Sequence, residues 1–475
     1  MLHWQYGLED EPGMGRVGGR QLSVLAQPLP ADPKIDALYR RVAWRFIPFL
    51  IVCYACAIVD RLNISMAKLQ MLPQLNFSEA VYGFGAGVFF LGYLLFDIPS
   101  NLILHRVGAR WWIARIMITW GFVSVATAFV TTPFWFYALR FVLGMAEAGF
   151  FAGLVLYATY WFPAGWRGRI YSLIILAVPL AGIVIGPLSG AIMSGLEGVK
   201  GFAGWQWLFI LEGAPSIVLG VIVARFLDSR IEDAAWLDSD EKTLLRRAVE
   251  TKANPGPASY GFAASGMVWL MSCVCFAISA GMYVVGFWLP TLIHAAGENN
   301  AFVIGLYSAV PWLVAIIPLV LGGREADRTG SRRWYVAGPL FVCGVCLAIS
   351  TLGSGIGFML IFLTMATSGV LLALAQFWNL PAAYLSGVGA AGGIALINSV
   401  GNLAGFVSPS LIGAIKEATG SVNSGILIMA AVIVAGSLLT MLIPGHLVDD
   451  RKQLPVSASP ADADQESNGK VLHGS

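Results

Sequence analysis

The sequence predicts an all-α membrane protein of twelve transmembrane helices in two pseudo-symmetric six-helix bundles. Three observations lead there. Of 475 residues, 57% are hydrophobic and 12% charged, about half the charge of an average soluble domain. Apolar stretches near the roughly 20 residues that cross a bilayer recur twelve times. A basic loop pattern that follows the second stretch returns after the eighth.

The first six spans fall near residues 44–66, 79–103, 110–130, 134–157, 168–193 and 206–228, and the second six near 265–293, 301–323, 334–352, 356–379, 390–414 and 424–445. The chain therefore divides into a tail (1–43), a first bundle (44–228), a linker (229–264), a second bundle (265–446) and a second tail (447–475). The linker is charged and closes on a Pro/Gly/Ser-rich run, as a solvated connection does. Residues 1–39 are polar and hold no apolar core ahead of a small-residue cleavage site, which speaks against a cleaved signal. The last residues, rich in Ser, Ala, Asp and Pro, read as disordered.

Charge placement orients the spans. Of 29 Lys and Arg, Lys68, Lys200 and Lys416 fall on one side, Arg61 and Arg140 fall within spans, and all others fall with the tails and linker. Basic residues near span ends resist translocation, so both termini and the linker are expected in the cytoplasm. A net charge of +2 leaves no basic surface for nucleic acid. The composition excludes a disordered chain.

The repeat aligns Asn101–Trp111 (NLILHRVGARW) with Gly323–Arg333 (GREADRTGSRR). Arg106, Gly108 and Arg110 match Arg328, Gly330 and Arg332, with Gly323 and Asp327 completing the second copy. Glycine suits a tight turn, and arginines can hold neighbouring helix ends through charged hydrogen bonds. These residues are candidates for a gate, with anchoring by positive charge as the competing reading.

Charges inside apolar spans cost about 2.5–3.5 kcal/mol each on insertion scales. Asp60, Arg61, Arg140 and Glu147 therefore need a reason. Arg140 and Glu147 stand seven residues apart, two helical turns, on one face of one span. An arginine fork suits a carboxylate, and a buried carboxyl group beside it can exchange a proton. Asp60 and Glu147 are the candidate proton carriers, and Arg61 and Arg140 the candidate anion contacts. A buried network that only fixes helices is the alternative. The second half places no charge deep in a span, so Gln376, Trp378, Asn379, Asn398 and Asn402 are its candidate contacts. Asp97 and Glu212 read as structural groups toward span ends.

Other patterns are read as packing or set aside. The Gly182-x-x-x-Gly186 stripe with Pro187 and Gly190 suits a close helix approach, although it partly resembles a motif of exporting antiporters. Six cysteines sit as close pairs in apolar runs, without a thiolate-stabilising neighbour. The five histidines are too scattered for a metal site. Gly387–Gly392 fits G-x-G-x-x-G but follows an apolar helix rather than a strand. No phosphate-cradling G-x-x-x-x-G-K-[ST] sequence occurs, which leaves ion gradients as the energy source. No cofactor is expected, and no nucleophile and base pair marks an enzyme.

The second loop copy resembles the loop motif of the major facilitator superfamily. In the first copy His105 and Asn101 depart from it. Asp60–Ala67 (DRLNISMA), Arg140–Gly149 (RFVLGMAEAG), Tyr160–Pro163 (YWFP), Trp205–Gly213 (WQWLFILEG) and Asn398–Asn402 (NSVGN) further resemble its anion:cation symporter branch. The resemblance covers residues 38–446. It implies two six-helix bundles rocking about a midplane site, and carriage of an organic anion such as tartrate, phthalate, 4-hydroxyphenylacetate or a sugar acid, commonly with protons. It implies a multi-pass protein of the bacterial inner membrane that acts as a monomer. It also implies that Trp378 and Asn398 meet the substrate, with Tyr54 and Tyr93 closing from the first half. Uptake by proton symport is the leading expectation, and efflux or anion exchange the alternative.

Overall fold

A computed structural model describes residues 33–250, 265–353, 355–385 and 388–449. The outer parts of both tails, the end of the linker and the start of the Gly387–Gly392 loop lie outside the described residues. Among those described, every long element is an α-helix.

The first half is built from α1 (Pro33–Leu62) and α2 (Ile64–Leu75), α3 (Glu79–Val107), α4 (Ala109–Thr127), α5 (Pro133–Glu147) and α6 (Phe150–Trp161), α7 (Ala164–Ile175) and α8 (Ala177–Gly195), and α9 (Gly204–Phe226). After α10 (Ser239–Glu250) come α11 (Gly266–Ala295), α12 (Ala301–Thr329), α13 (Trp334–Ser350), α14 (Ile356–Phe377) and α15 (Asn379–Tyr384), α16 (Val388–Thr419), α17 (Val422–Met441) and the short α18 (Gly445–Val448). Taking each broken pair as one span gives the twelve expected. Ten of these are long and apolar enough to cross a membrane on length and composition alone. The other two are α4, which carries Arg110 and Arg115, and α13, which is 17 residues long.

The broken pairs have local causes. α1 and α2 are joined through Asn63, whose φ of -57° is helical and whose carbonyl accepts from the Met66 and Ala67 N–H groups at 3.0 Å. This span begins at Pro33, well inside the stretch read from sequence as tail. The linker explains the extension. Arg45 of α1 lies over Trp236 at 4.7 Å, Trp236 stacks on Trp161 at 6.0 Å, and Arg41 pairs with Glu241 at 2.9 Å. The start of the linker is thus docked against the first half.

Side-chain N-caps mark one end of the bundle. Ser78 accepts from Val81 N–H at 3.3 Å, Thr132 from Trp135 N–H at 3.5 Å, and Asn300 from Phe302 N–H at 2.9 Å. Each satisfies amides that a helix start leaves open.

At this capped end the halves are sealed. α3 packs on α16, α8 on α12, and α2 on α11. A Cβ on Gly186 would lie 2.3 Å from the Gly305 carbonyl oxygen, and one on Gly305 2.1 Å from that of Gly186. The stripe from Gly182 to Gly190 is thus a packing surface between the bundles, the close approach expected of it. Tyr82 donates to the Phe287 carbonyl at 2.9 Å, and Ser410 to that of Gly83 at 3.3 Å. Lys68, read from sequence as a loop residue, is 3% exposed within α2 and pairs with Glu79 at 2.6 Å. Glu79 also pairs with Lys416 across the halves.

The opposite end carries the linker and both copies of the loop motif. Gly108 and Gly330 make the turns with φ of +92° and +67°, values that favour glycine. Arg110 donates to the Ala224 carbonyl at 2.6 and 2.9 Å and so caps α9. In the second copy the same work falls to Arg333, one position past the aligned Arg332. It donates to the carbonyls of Ile443 at 2.9 Å and Met441 at 3.3 Å, just beyond α17 and at its end. Arg106, Asp327 and Arg328 are exposed, and Arg328 pairs with Glu325 of its own helix at 3.6 Å.

Candidate functional site

Three charged side chains, Arg61, Arg140 and Glu147, meet inside the first half, with Asp60 next to Arg61 in the chain. α5 ends at Glu147 because Gly149 takes a left-handed turn (φ +83°) before α6 begins. The break leaves the Glu147 carboxylate facing α1, where it pairs with Arg61. Glu147 is 1% exposed and Arg61 15%, so the guanidinium keeps one side toward open space. It lies over the rings of Phe89, Tyr93 and Phe90 at 5.2, 5.5 and 6.0 Å. These aromatic faces accommodate a cation in low dielectric.

Arg140 is fully buried. Its Nε donates to the Gly85 carbonyl at 3.3 Å and its Nη2 to that of Arg61 at 3.5 Å, and it too lies over Phe89, at 5.2 Å. Not every polar atom is matched. Arg140 Nη1, Arg61 Nε and Glu147 Oε2 are buried without a hydrogen-bond partner. Unmatched buried donors cost about 1–3 kcal/mol each, so an acceptor that reached both arginines would be bound well.

Asp60 points away from this group. It accepts from Ser124 at 2.7 Å, Trp120 Nε1 at 3.0 Å and Ser216 at 2.6 Å, which ties α1 to α4 and α9. Tyr54 packs on Phe151 and Phe150 at 5.4 and 6.3 Å, behind the helix break. Asp97 bonds Asn101 at 3.5 Å, consistent with a structural role near the basic turn.

The second half contributes unevenly. Tyr283 of α11, which the sequence did not single out, donates to Asn402 Oδ1 at 3.4 Å and packs on Phe90 at 4.5 Å. This brings Asn402 toward the arginines. Asn398 lies one helical turn from Asn402 on α16 and is half-buried. Gln376 and Asn379 bond to each other at 3.1 Å at the junction of α14 and α15, beside Trp378. They lie near Gly323, at the basic-turn end of the bundle. The structure therefore groups Arg61, Arg140, Glu147, Tyr54, Tyr93 and Asn402, leaves Asp60 bonded behind them to α4 and α9, and sets Gln376, Trp378 and Asn379 at the basic-turn end. A tyrosine inside an otherwise apolar span was the available signal for Tyr283.

Glu212 differs from its sequence reading. It sits within α9 at 4% exposure rather than toward a span end, and accepts from Ser189 at 2.7 Å. The six cysteines are free thiols. Among the described residues no three His, Cys, Asp or Glu side chains converge as metal ligands.

A twelve-span helical bundle with a buried charge group inside its first half defines a membrane-embedded transporter of small molecules, not an enzyme. Residues 50–409 match the Major Facilitator Superfamily, and the chain belongs to that family. It is 42% identical to the candidate metabolite transport protein NicT of Pseudomonas putida, over 88% of this chain and 97% of that one. It is 44% identical to a candidate tartrate transporter of Agrobacterium vitis, over 85% and 90% of the two chains. A solved bacterial homolog of the human lysosomal transporter Spinster shares the fold, with a TM-score of 0.71 at 15% identity, over 85% of this chain and 96% of that chain.

Proposed function

We propose that this transporter takes up a small organic carboxylate anion together with protons, by alternating access between its two halves. The observation that carries the reading is the set of unmatched buried atoms on Arg61, Arg140 and Glu147. Arg61 cannot serve Glu147 and a substrate carboxylate fully at once. Protonating Glu147 releases the guanidinium, so anion and proton bind together and leave together. Arg140 adds a second fork, while Tyr54, Tyr93, Asn398 and Asn402 supply ring faces and hydrogen bonds to the rest of the molecule. Gln376, Trp378 and Asn379 meet the substrate at the basic-turn end. Asp60 is the second proton carrier of the scheme. The names of the two similar proteins, tartrate and metabolite carriers, support an organic acid.

Both termini and the linker face the cytoplasm of a bacterial inner membrane, an orientation that the bias of the basic residues supports. The basic-turn end then faces inward, and the exposed Arg106, Asp327 and Arg328 are gate residues that act there. Gly108, Arg110, Gly323, Gly330 and Arg332 shape the same turns. All these groups belong to one chain, which acts as a monomer.

The test is uptake by proteoliposomes under an imposed inward proton gradient, with labelled tartrate, a sugar acid, phthalate, 4-hydroxyphenylacetate and a neutral sugar. One acid accumulates and the neutral sugar does not. Accumulation only with the gradient reversed would make the carrier an exporter, and uptake without gradient dependence would remove the proton. Glu147→Gln should lose gradient-driven accumulation of the transported acid while retaining counterflow. Each coupled proton supports about tenfold accumulation per pH unit, since ~1.4 kcal/mol is tenfold. Accumulation by the variant with wild-type pH dependence removes Glu147 from the proton path.

A further inference from the structure

Two polar residues of α1 and its continuation face two of α9. Asp60 accepts from Ser216, and three residues on in the first span Asn63 lies beside Glu212, four residues before Ser216 on the antiparallel α9. Spacings of three and four put each pair on one helix face, so the contacts form two rungs about one turn apart. The outer rung is incomplete. Asn63 is fully buried and neither its Nδ2 nor its Oδ1 has a partner, and Glu212 Oε2 has none either. Glu212 Oε1 accepts from Ser189. Asn63 offers Glu212 both a donor and an acceptor, so its amide can meet either form of the carboxyl group, and it is burial without a cation that favours the acid form, whose O–H the Asn63 carbonyl oxygen can accept.

The surroundings offer no other charge balance. On α1 the titratable groups near Glu212 are Cys56 and Asp60. Lys68 of α2 is engaged by Glu79, Arg110 of α4 by the α9 terminus, and α8 brings no charged residue. Among the described residues no ion pair is recorded at Glu212, and an isolated buried carboxylate is costly. A cavity of about 20 Å³ at the seam between the halves is lined by Leu62, Ser65 and Gly186, each within three residues of Asn63 or Ser189. That is room for about one water.

We infer that Glu212 is a proton-holding carboxyl group: its acid form bonds Asn63, and it exchanges its proton with Asp60 through Ser216. This site lies on the sealed side of Asp60, so it receives protons from the outer face when that end opens. The proton moves from Glu212 Oε2 to the Ser216 hydroxyl oxygen while the hydroxyl proton passes to Asp60, which leaves Glu212 ionised and Asp60 neutral. The role in coupling rests on the proton-symport reading above, whereas the protonated state of Glu212 does not.

The test compares wild-type protein with Glu212→Gln, whose amide keeps the volume and can still donate to Asn63. Infrared spectra of the purified proteins at neutral pH should show a carbonyl band of a protonated carboxylic acid that shifts in deuterated water and is missing from the variant. Identical acid bands in both proteins overturn the inference. In proteoliposomes the variant should lose about tenfold in accumulation per imposed pH unit relative to wild type, and unchanged accumulation overturns the relay. If wild type shows no gradient dependence but the variant still lacks the band, the symport reading fails and the proton site stands. Should Glu212→Gln fail to fold, Asn63→Leu serves: it removes the acceptor, and the acid band should move to higher frequency, an unmoved band counting against the pairing.

Discussion

Arg61→Ala should abolish gradient-driven uptake and substrate counterflow alike, which separates it from Glu147→Gln. Truncating one partner of a buried, hydrogen-bonded charge pair costs about 2–5 kcal/mol, and at ~1.4 kcal/mol per tenfold the affinity for the acid should fall between about 30-fold and several thousandfold. Arg61→Lys should remain at least about tenfold weaker than wild type, because a point charge cannot present two parallel donors to a carboxylate. Arg61→Ala also leaves Glu147, 1% exposed, without its cation. Part of the damage should therefore be to stability, by about 3–5 kcal/mol for an uncompensated buried charge. The double variant Arg61→Ala/Glu147→Gln should recover that stability and no binding. Equilibrium binding of the labelled acid, with thermal unfolding alongside, reads both effects. A lysine variant that binds like wild type would falsify the bidentate contact.

The second large effect is expected at the sealed end. Glu79 bridges Lys68 and Lys416, and the Lys68 ammonium lies over Trp288 at 3.9 Å and Tyr82 at 4.3 Å. Lys68 is 3% exposed and depends on Glu79 for neutralisation. Glu79→Gln leaves two like charges facing each other across α2 and α16. The loss should approach the lower end of the ~3–5 kcal/mol for a broken buried pair, because Glu79 itself is a quarter exposed. The states with this end open should gain population. A cysteine at Ser410, which bonds the Gly83 carbonyl in the seal, should then react at least about tenfold faster with an impermeant maleimide. Equal labelling rates with and without Glu79 would mean that glycine packing at Gly186 and Gly305 holds the seal alone.

The charged part of the site was readable from the chain because charge is rare in apolar spans. Asp60, Arg61, Arg140 and Glu147 stand out by cost alone, and the seven-residue spacing put Arg140 and Glu147 on one face before any coordinates. Neutral polar residues carry no such signal. Asn402 and Gln376 read alike in the sequence, yet Tyr283 draws one toward the arginines while the other bonds Asn379 at the basic-turn end. Glu212 reads in the sequence as a group toward a span end, and its place beside Asn63 depends on how α1 and α9 pair. The loop arginines were legible as helix anchors, but the one that holds the last span is Arg333, shifted by one position from the repeat alignment.

By itself the sequence determined that the chain lives in lipid, crosses it twelve times, repeats after six helices, and carries an arginine and carboxylate group in its first half. These follow from composition, segment length and the cost of charge in hydrocarbon, properties that belong to each stretch separately. Only the tertiary structure decided that Glu147 pairs with Arg61 rather than with its own-helix neighbour Arg140, that Lys68 and Glu79 seal one end, and that Asn63 meets Glu212. Such partners lie on different helices, and which faces meet is set by close packing of glycines and ring stacks summed over the whole bundle.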